Sequence, residues 1–168
     1  MTYGPSRGSR SPGGGQWFAK ITLFAERGQY WYVCLMEPET AFLVAILRQS
    51  PQGSLWRLSK DSWEELPHVL GPDLLQSDDA FWWYVRITAA NRGRLLTVAE
   101  AYELPDKVVH MSLTTAQGRT FFRGEDHLDT IICDIGFQDL SRVCSKFPHL
   151  EQSIVKLEGE VVHLGWTV

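Results

Sequence analysis

Cysteine is scarce in this chain, and positive charge is in deficit. The 168 residues hold three cysteines, Cys34, Cys133 and Cys144, none at the pair spacing of a metal-ligand set. An odd count without a leader segment reads as reduced thiols, in a cytoplasmic or nuclear compartment. Cys34 sits in an apolar run and is expected to be a small buried hydrophobe. Sixteen Lys and Arg against twenty Asp and Glu leave a formal charge of −4. That balance argues against charge-driven binding to duplex nucleic acid, but not against single strands, where stacking carries much of the affinity. No apolar run approaches the ~18 residues of a membrane-spanning helix, so no membrane partner is expected. The N-terminus has no apolar h-region, so no secretory leader is expected either.

Catalytic signatures are also missing. There is no GxSxG, P-loop or GxGxxG. The run Gly13-Gly14-Gly15 lacks the strand-to-helix setting and the Lys of a phosphate loop. Asp126-His127-x-Asp129 has metal-ligand residue types, but on a helix its spacing does not face the groups together, and no second cluster completes a tetrahedral set. Asp78-Asp79 reads as a turn before a strand, and His110 and His163 as hydrogen-bonded structural residues within apolar strands. No catalytic residue, metal or cofactor is expected.

What is abundant is aromatic: seven Trp, eight Phe and five Tyr. Such density suits strands and flat binding surfaces. The aromatics also mark an internal repeat. Trp31-Tyr32-Val33 is followed by Leu43-Val44-Ala45-Ile46, and Trp83-Tyr84-Val85 by Leu95-Leu96-Thr97-Val98, at a constant offset of 52 residues. A repeat of this size reads as a supersecondary unit that packs on its own copy.

The expected organisation is a Gly/Ser/Pro/Arg tail over 1–15 and one α+β domain over 16–168. Repeat one spans about 17–70. Two strands turn at Glu26–Gln29, Glu37-Pro38-Glu39 makes the next turn, and TAFLVAILRQ reads as a buried strand. Ser50–Gly53 turns into the strand SLWRL, and KDSWEELPHVL reads as a helix capped by Asp61 or Ser62 and limited by Pro67. Repeat two spans about 72–133, with FWWYVRIT, RLLTVAEAY and KVVHMSL as strands. Asn91-Arg92-Gly93 and Leu104-Pro105-Asp106 are its turns, and a helix is expected within Gln117–Cys133. The extension 134–168 reads as a helix over IGFQDLSRVCSKF and a hairpin turning at Glu158-Gly159. It is expected to cover a sheet edge or make a dimer contact.

The stretch Trp83–Glu100 resembles the repeat of the PUR family, the purine-rich-element-binding proteins of the whirly-like group. Trp83-Tyr84, Arg92-Gly93-Arg94, Leu95-Leu96 and Glu100 stand at the matching places. The first unit matches in pattern but has Thr40-Ala41-Phe42 where the basic-Gly-Arg turn belongs, and the returning strands hold Thr97 and Ala45 where the family tends to place a basic residue. The resemblance covers roughly residues 20–133. It implies two antiparallel-sheet-plus-helix repeats intertwined into one domain, whose open sheet faces bind single-stranded DNA or RNA.

Strand alternation puts Trp83, Val85 and Ile87 on one face and Tyr84, Arg86 and Thr88 on the other. A face with Tyr84 and Arg86 could stack a base and hold a phosphate, with Arg92 and Arg94 adding contacts from the turn. Tyr32 is the equivalent aromatic of the first unit. The expected function is therefore non-catalytic single-stranded nucleic-acid binding through Tyr84, Arg86, Arg92, Arg94 and Tyr32. The open rival is a protein-interaction module or accessory subunit, with a protein partner or a second copy as its ligand. The acidic balance and the nearly uncharged face of Tyr32, Cys34 and Met36 speak for that rival.

Overall fold

The computed structural model describes residues 37–159 and two short strands, β1 (Ala19–Ile21) and β2 (Val33–Leu35), which pair antiparallel in a sheet of their own. The expected tail, the Glu26–Gln29 turn, Tyr32, His163 and the strand expected after Gly159 lie outside the described residues. The fold is α+β. After β2 come α1 (Pro38–Gln49), β3 (Leu55–Ser59), α2 (Leu66–Leu70), β4 (Trp82–Arg86), α3 (Arg92–Ala101) and α4 (Leu104–Lys107). Then follow β5 (Met111–Thr114), β6 (Thr120–Glu125), β7 (Thr130–Asp134), α5 (Leu140–Ser145) and β8 (Ile154–Leu157). Six strands form one sheet in the order β4-β3-β5-β6-β7-β8, antiparallel throughout except for the parallel pair β7–β8 at one edge.

Alternation along each strand sorts the two faces of this sheet. Trp56, Leu58, Val85, Leu113, Phe122, Ile131 and Cys133 point to one side and are fully buried. The helices cover that side, with α1 packed on α3 and α5 against β7. Phe42 of α1 meets Phe147 edge-on, with ring centres 5.2 Å apart, and lies 6.4 Å from Phe122. Each such side chain contributes ~1.5–3 kcal/mol by leaving water. Gly124 sits on the same side, where an added Cβ would collide with Leu128 Cδ2.

Two segments expected as strands are helices. TAFLVAILRQ lies in α1, because Phe42, Leu43, Ile46 and Leu47 recur at helical spacing and all four are buried. Pro38 sits in the first turn, where its missing N–H costs nothing, so it opens the helix instead of marking a turn. RLLTVAEAY lies largely in α3, which buries Leu95, Val98 and Ala99. Arg92-Gly93-Arg94 therefore begins a helix and is no part of a β-turn. Leu104-Pro105-Asp106 likewise lies in the short α4.

The reverse error occurs at Gln117–Cys133, expected as a helix and found as β6 and β7. Gly118, at φ +91°, turns the chain from β5 into β6. KDSWEELPHVL is helical only over Leu66–Leu70, and neither Asp61 nor Ser62 caps it. Ser62 Oγ instead accepts the Val109 N–H at 2.9 Å. The segments SLWRL, FWWYVRIT and KVVHMSL contain β3, β4 and β5 as expected, and IGFQDLSRVCSKF contains α5. β8 forms an outer strand of the sheet.

The segments that carry the 52-residue offset thus run strand then helix in both places, β2 with α1 and β4 with α3. The helices pack together, whereas β2 and β4 belong to different sheets.

Candidate functional site

The face of the six-stranded sheet turned away from the helices carries a groove of about 780 Å³. Register builds its floor from two cross-strand rows. In the first, Arg57 of β3 faces Ser112 of β5, which faces Arg123 of β6, and Tyr84 of β4, facing Arg57 from the other side, extends the row just beyond the groove lining. In the second, Trp82 faces Ser59, whose backbone N–H binds His110 O at 3.0 Å, with Glu125 at the far end. Neighbouring strands stand ~4.8 Å apart, so the backbones of Arg57 and Arg123 are roughly 10 Å apart with Ser112 between them. Phe81, 65% exposed, and Lys60 stand at the rim.

The cations are held in place by what surrounds them. Arg57 lies over the Trp82 ring, its guanidinium carbon 4.4 Å from the centroid and 5.9 Å from that of Tyr84. Lys60 Nζ is 4.3 Å from the Trp83 ring centre and donates to the Asp79 carbonyl. Arg123 Nε donates to Glu125 Oε1. Glu125 Oε2 is 2.6 Å from His110 Nδ1.

Two of the three carboxylates that line the groove are engaged by the protein itself. Glu125 serves Arg123 and His110. Asp79 Oδ1 accepts the backbone N–H groups of Phe81 at 2.8 Å and Trp82 at 3.1 Å, and Asp79 Oδ2 accepts the Tyr84 hydroxyl. The Tyr84 hydrogen bond, with those two N–H groups, holds the Asp79 carboxyl below its ordinary range, while burial and the Asp79 contact push the Tyr84 phenol up. Two polar atoms in the first row remain unanswered. Arg57 Nε and Ser112 Oγ are buried, and neither has a hydrogen-bond partner among the described residues.

Of the residues singled out in the sequence, Tyr84 and Arg86 share the open face, as alternation predicts. Arg86 is exposed and donates to Gly53 O at 3.3 Å, and it does not line the groove. Arg92 and Arg94 lie in the helix layer. Arg92 donates to Arg48 O at 3.0 Å. Arg94 pairs with Asp73 and donates to Val69 O at 3.1 Å. They do not join Tyr84 and Arg86. Asp126–Leu128 form a 3-10 turn, and His127 Nδ1 donates to Pro105 O at 2.9 Å.

Sequence reasoning missed Arg57, Ser112, Arg123 and Lys60. A partial signal was present: Arg57 alternates with Trp56 and Leu58, and Arg123 with Phe122 and Gly124, which marks each as facing away from a core. Among the described residues, no group of three or more His, Cys, Asp or Glu side chains could hold a metal ion. No described helix is long and apolar enough to cross a membrane. Comparison with family models, with curated proteins and with solved structures returns no match.

Proposed function

We propose that the chain binds single-stranded nucleic acid in the groove on the open face of its sheet. The observation that carries this reading is the row Tyr84–Arg57–Ser112–Arg123, flanked by Trp82 and the exposed Phe81. Cations stand beside flat rings on one sheet face, the combination that holds a flexible polyanion by its phosphates and stacks its bases. Tyr84 and Arg86 remain part of the proposed surface; Arg92 and Arg94 do not, since α3 places them in the helix layer. Asp79 answers the Phe81 and Trp82 N–H groups and the Tyr84 hydroxyl, and Glu125 pairs with Arg123 Nε and leaves its other guanidinium donors to a ligand.

Fluorescence anisotropy with labelled single-stranded DNA and RNA at low salt tests the proposal, since screening is weakest there. Saturable binding that duplex of the same length does not match is the expected result. No binding at tens of micromolar (roughly 6–7 kcal/mol of affinity) sinks it.

A second reading, a protein-interaction module, draws on β8. Val155 and Leu157 of this strand are 45% and 40% exposed. Exposed apolar residues on an outer strand suit pairing with another chain. A clean monomer by light scattering, with no partner retained on pull-down, counts against it.

A further inference from the structure

We propose that the row Arg57–Ser112–Arg123 seats a single phosphate group, an inference that rests on the single-strand reading and gives the groove one fixed anchor point. The argument starts from the unanswered polar atoms. Ser112 is only 3% exposed, lines the groove and leaves its hydroxyl without a partner. Facing it across the strand pair, Arg57 Nε is buried and also unpartnered. A buried donor without an acceptor is unfavourable, and such atoms at facing register positions on a groove floor point to a missing partner. Ser54 Oγ and Trp56 Nε1 are unpartnered too, but neither lines the groove, and His110 Nδ1, which does, lies 2.6 Å from Glu125 Oε2.

The chemistry of that partner follows from the donors. A guanidinium donates and never accepts, so the two arginines exclude a cation and favour an anion. Three donor groups spread across three adjacent strands suit a ligand with several acceptor oxygens set in three dimensions. A phosphoryl group offers that; a planar carboxylate has two oxygens in one plane. The forks are oriented before a ligand arrives, Arg57 by the Trp82 and Tyr84 rings and Arg123 by Glu125. Little side-chain freedom is then lost on binding. The same phosphoryl oxygens could come from an internal diester of a strand or from a terminal monoester.

The test follows the arginine Nε–Hε resonances of the 15N-labelled full chain, assigned by their loss in Arg57→Lys and Arg123→Lys. Three probes are titrated at constant ionic strength: sodium phosphate, an oligothymidine hexamer without terminal phosphates, and the same hexamer with a 5′-phosphate. Phosphate is expected to move the Arg57 and Arg123 signals saturably. In Ser112→Ala the affinity is expected to fall about tenfold, the value of one charge-assisted hydrogen bond. Its melting temperature stays the same or rises, because the substitution deletes a buried unpartnered hydroxyl. A hexamer without terminal phosphate that moves the same two signals identifies the diester. A response confined to the phosphorylated hexamer identifies the monoester. If a hexamer binds while both signals stay still, or if Ser112→Ala binds phosphate as wild type does, the subsite is overturned and the single-strand reading stands. If phosphate saturates the row but neither hexamer binds, the subsite stands and the single-strand reading is overturned.

Discussion

The guanidinium of Arg57 lies over Trp82, its central carbon 4.4 Å from the ring centroid. Arg57 thus joins the cation and the aromatic platform in one unit. The residue serves the groove and not the core, whose neighbouring positions are Trp56 and Leu58. Arg57→Ala is therefore expected to weaken single-strand binding by about 2 kcal/mol, some thirtyfold, while unfolding free energy changes by less than ~1 kcal/mol. Anisotropy titration and urea unfolding of the same preparation check the two halves.

Phe81 carries the opposite balance of burial. At 65% exposure it contributes little to folding, and a ring that stands free at the groove rim has the geometry to stack on a base. Phe81→Ala is expected to cost ~1–3 kcal/mol of affinity for an oligonucleotide and to leave stability within ~0.5 kcal/mol of wild type. Phe81→Trp should retain binding. Isothermal calorimetry with oligothymidine reads both.

Arg94 separates a structural arginine from a binding one. Its guanidinium joins α2 to α3 through the Val69 carbonyl and Asp73. The pair is partly exposed, with side-chain exposures of 38% and 12%, so its loss is expected to cost only ~1 kcal/mol. Substituting Arg92 and Arg94 together by Glu is expected to lower stability and leave groove affinity within about threefold at moderate salt. Loss of binding by a variant that still unfolds cooperatively would return these residues to the interface.

The Asp79–Tyr84 hydrogen bond makes an acid-sensitive tie along the β4 edge of the sheet. Its carboxyl is held below the ordinary range in the folded protein, so the stabilisation is fully present above the unfolded value of ~3.9. It is lost as pH falls through the depressed folded value. The Tyr84 phenol, pushed up by burial and by Asp79, keeps its proton through the neutral range and beyond the usual tyrosine value. Tyr84→Phe is expected to move the Asp79 carboxyl back up toward its ordinary range, read by its side-chain 13C shift. The stability difference from wild type should be present at pH 6 and vanish in strong acid.

The strands that turn residues bracket were legible in the sequence. Pro51 and Gly53 announce β3, and the run Trp82–Arg86 can alternate only as a strand. The apolar runs of α1 and α3 were ambiguous in period, because short stretches such as LVAI and LLTV fit a buried strand as well as a helix face. Tertiary packing of α1 on α3 decides between them. β6 and β7 were hidden by the doublets Phe121-Phe122 and Ile131-Ile132, which blur alternation. Phe122 enters the core, while Phe121 is buried on the other side, its ring stacked 4.5 Å from Phe137. For the site, alternation alone found the shared face of Tyr84 and Arg86. The meeting of Arg57, Ser112 and Arg123 depends on the strand order β4-β3-β5-β6, and residues 57, 112 and 123 carry no local mark of that order.

The salt dependence of single-strand affinity tests the central claim most directly. If Arg57 and Arg123 share one phosphate and Lys60 meets a second, log Kd plotted against log salt concentration should rise with a slope of roughly 1.4. With Arg57 and Arg123 both replaced by Ala the slope should fall by about 0.7, the share of that one phosphate contact. A measurable affinity with a flat salt response, or a slope unchanged when Arg57 and Arg123 are both replaced, would contradict the assignment of the open sheet face as a nucleic-acid groove.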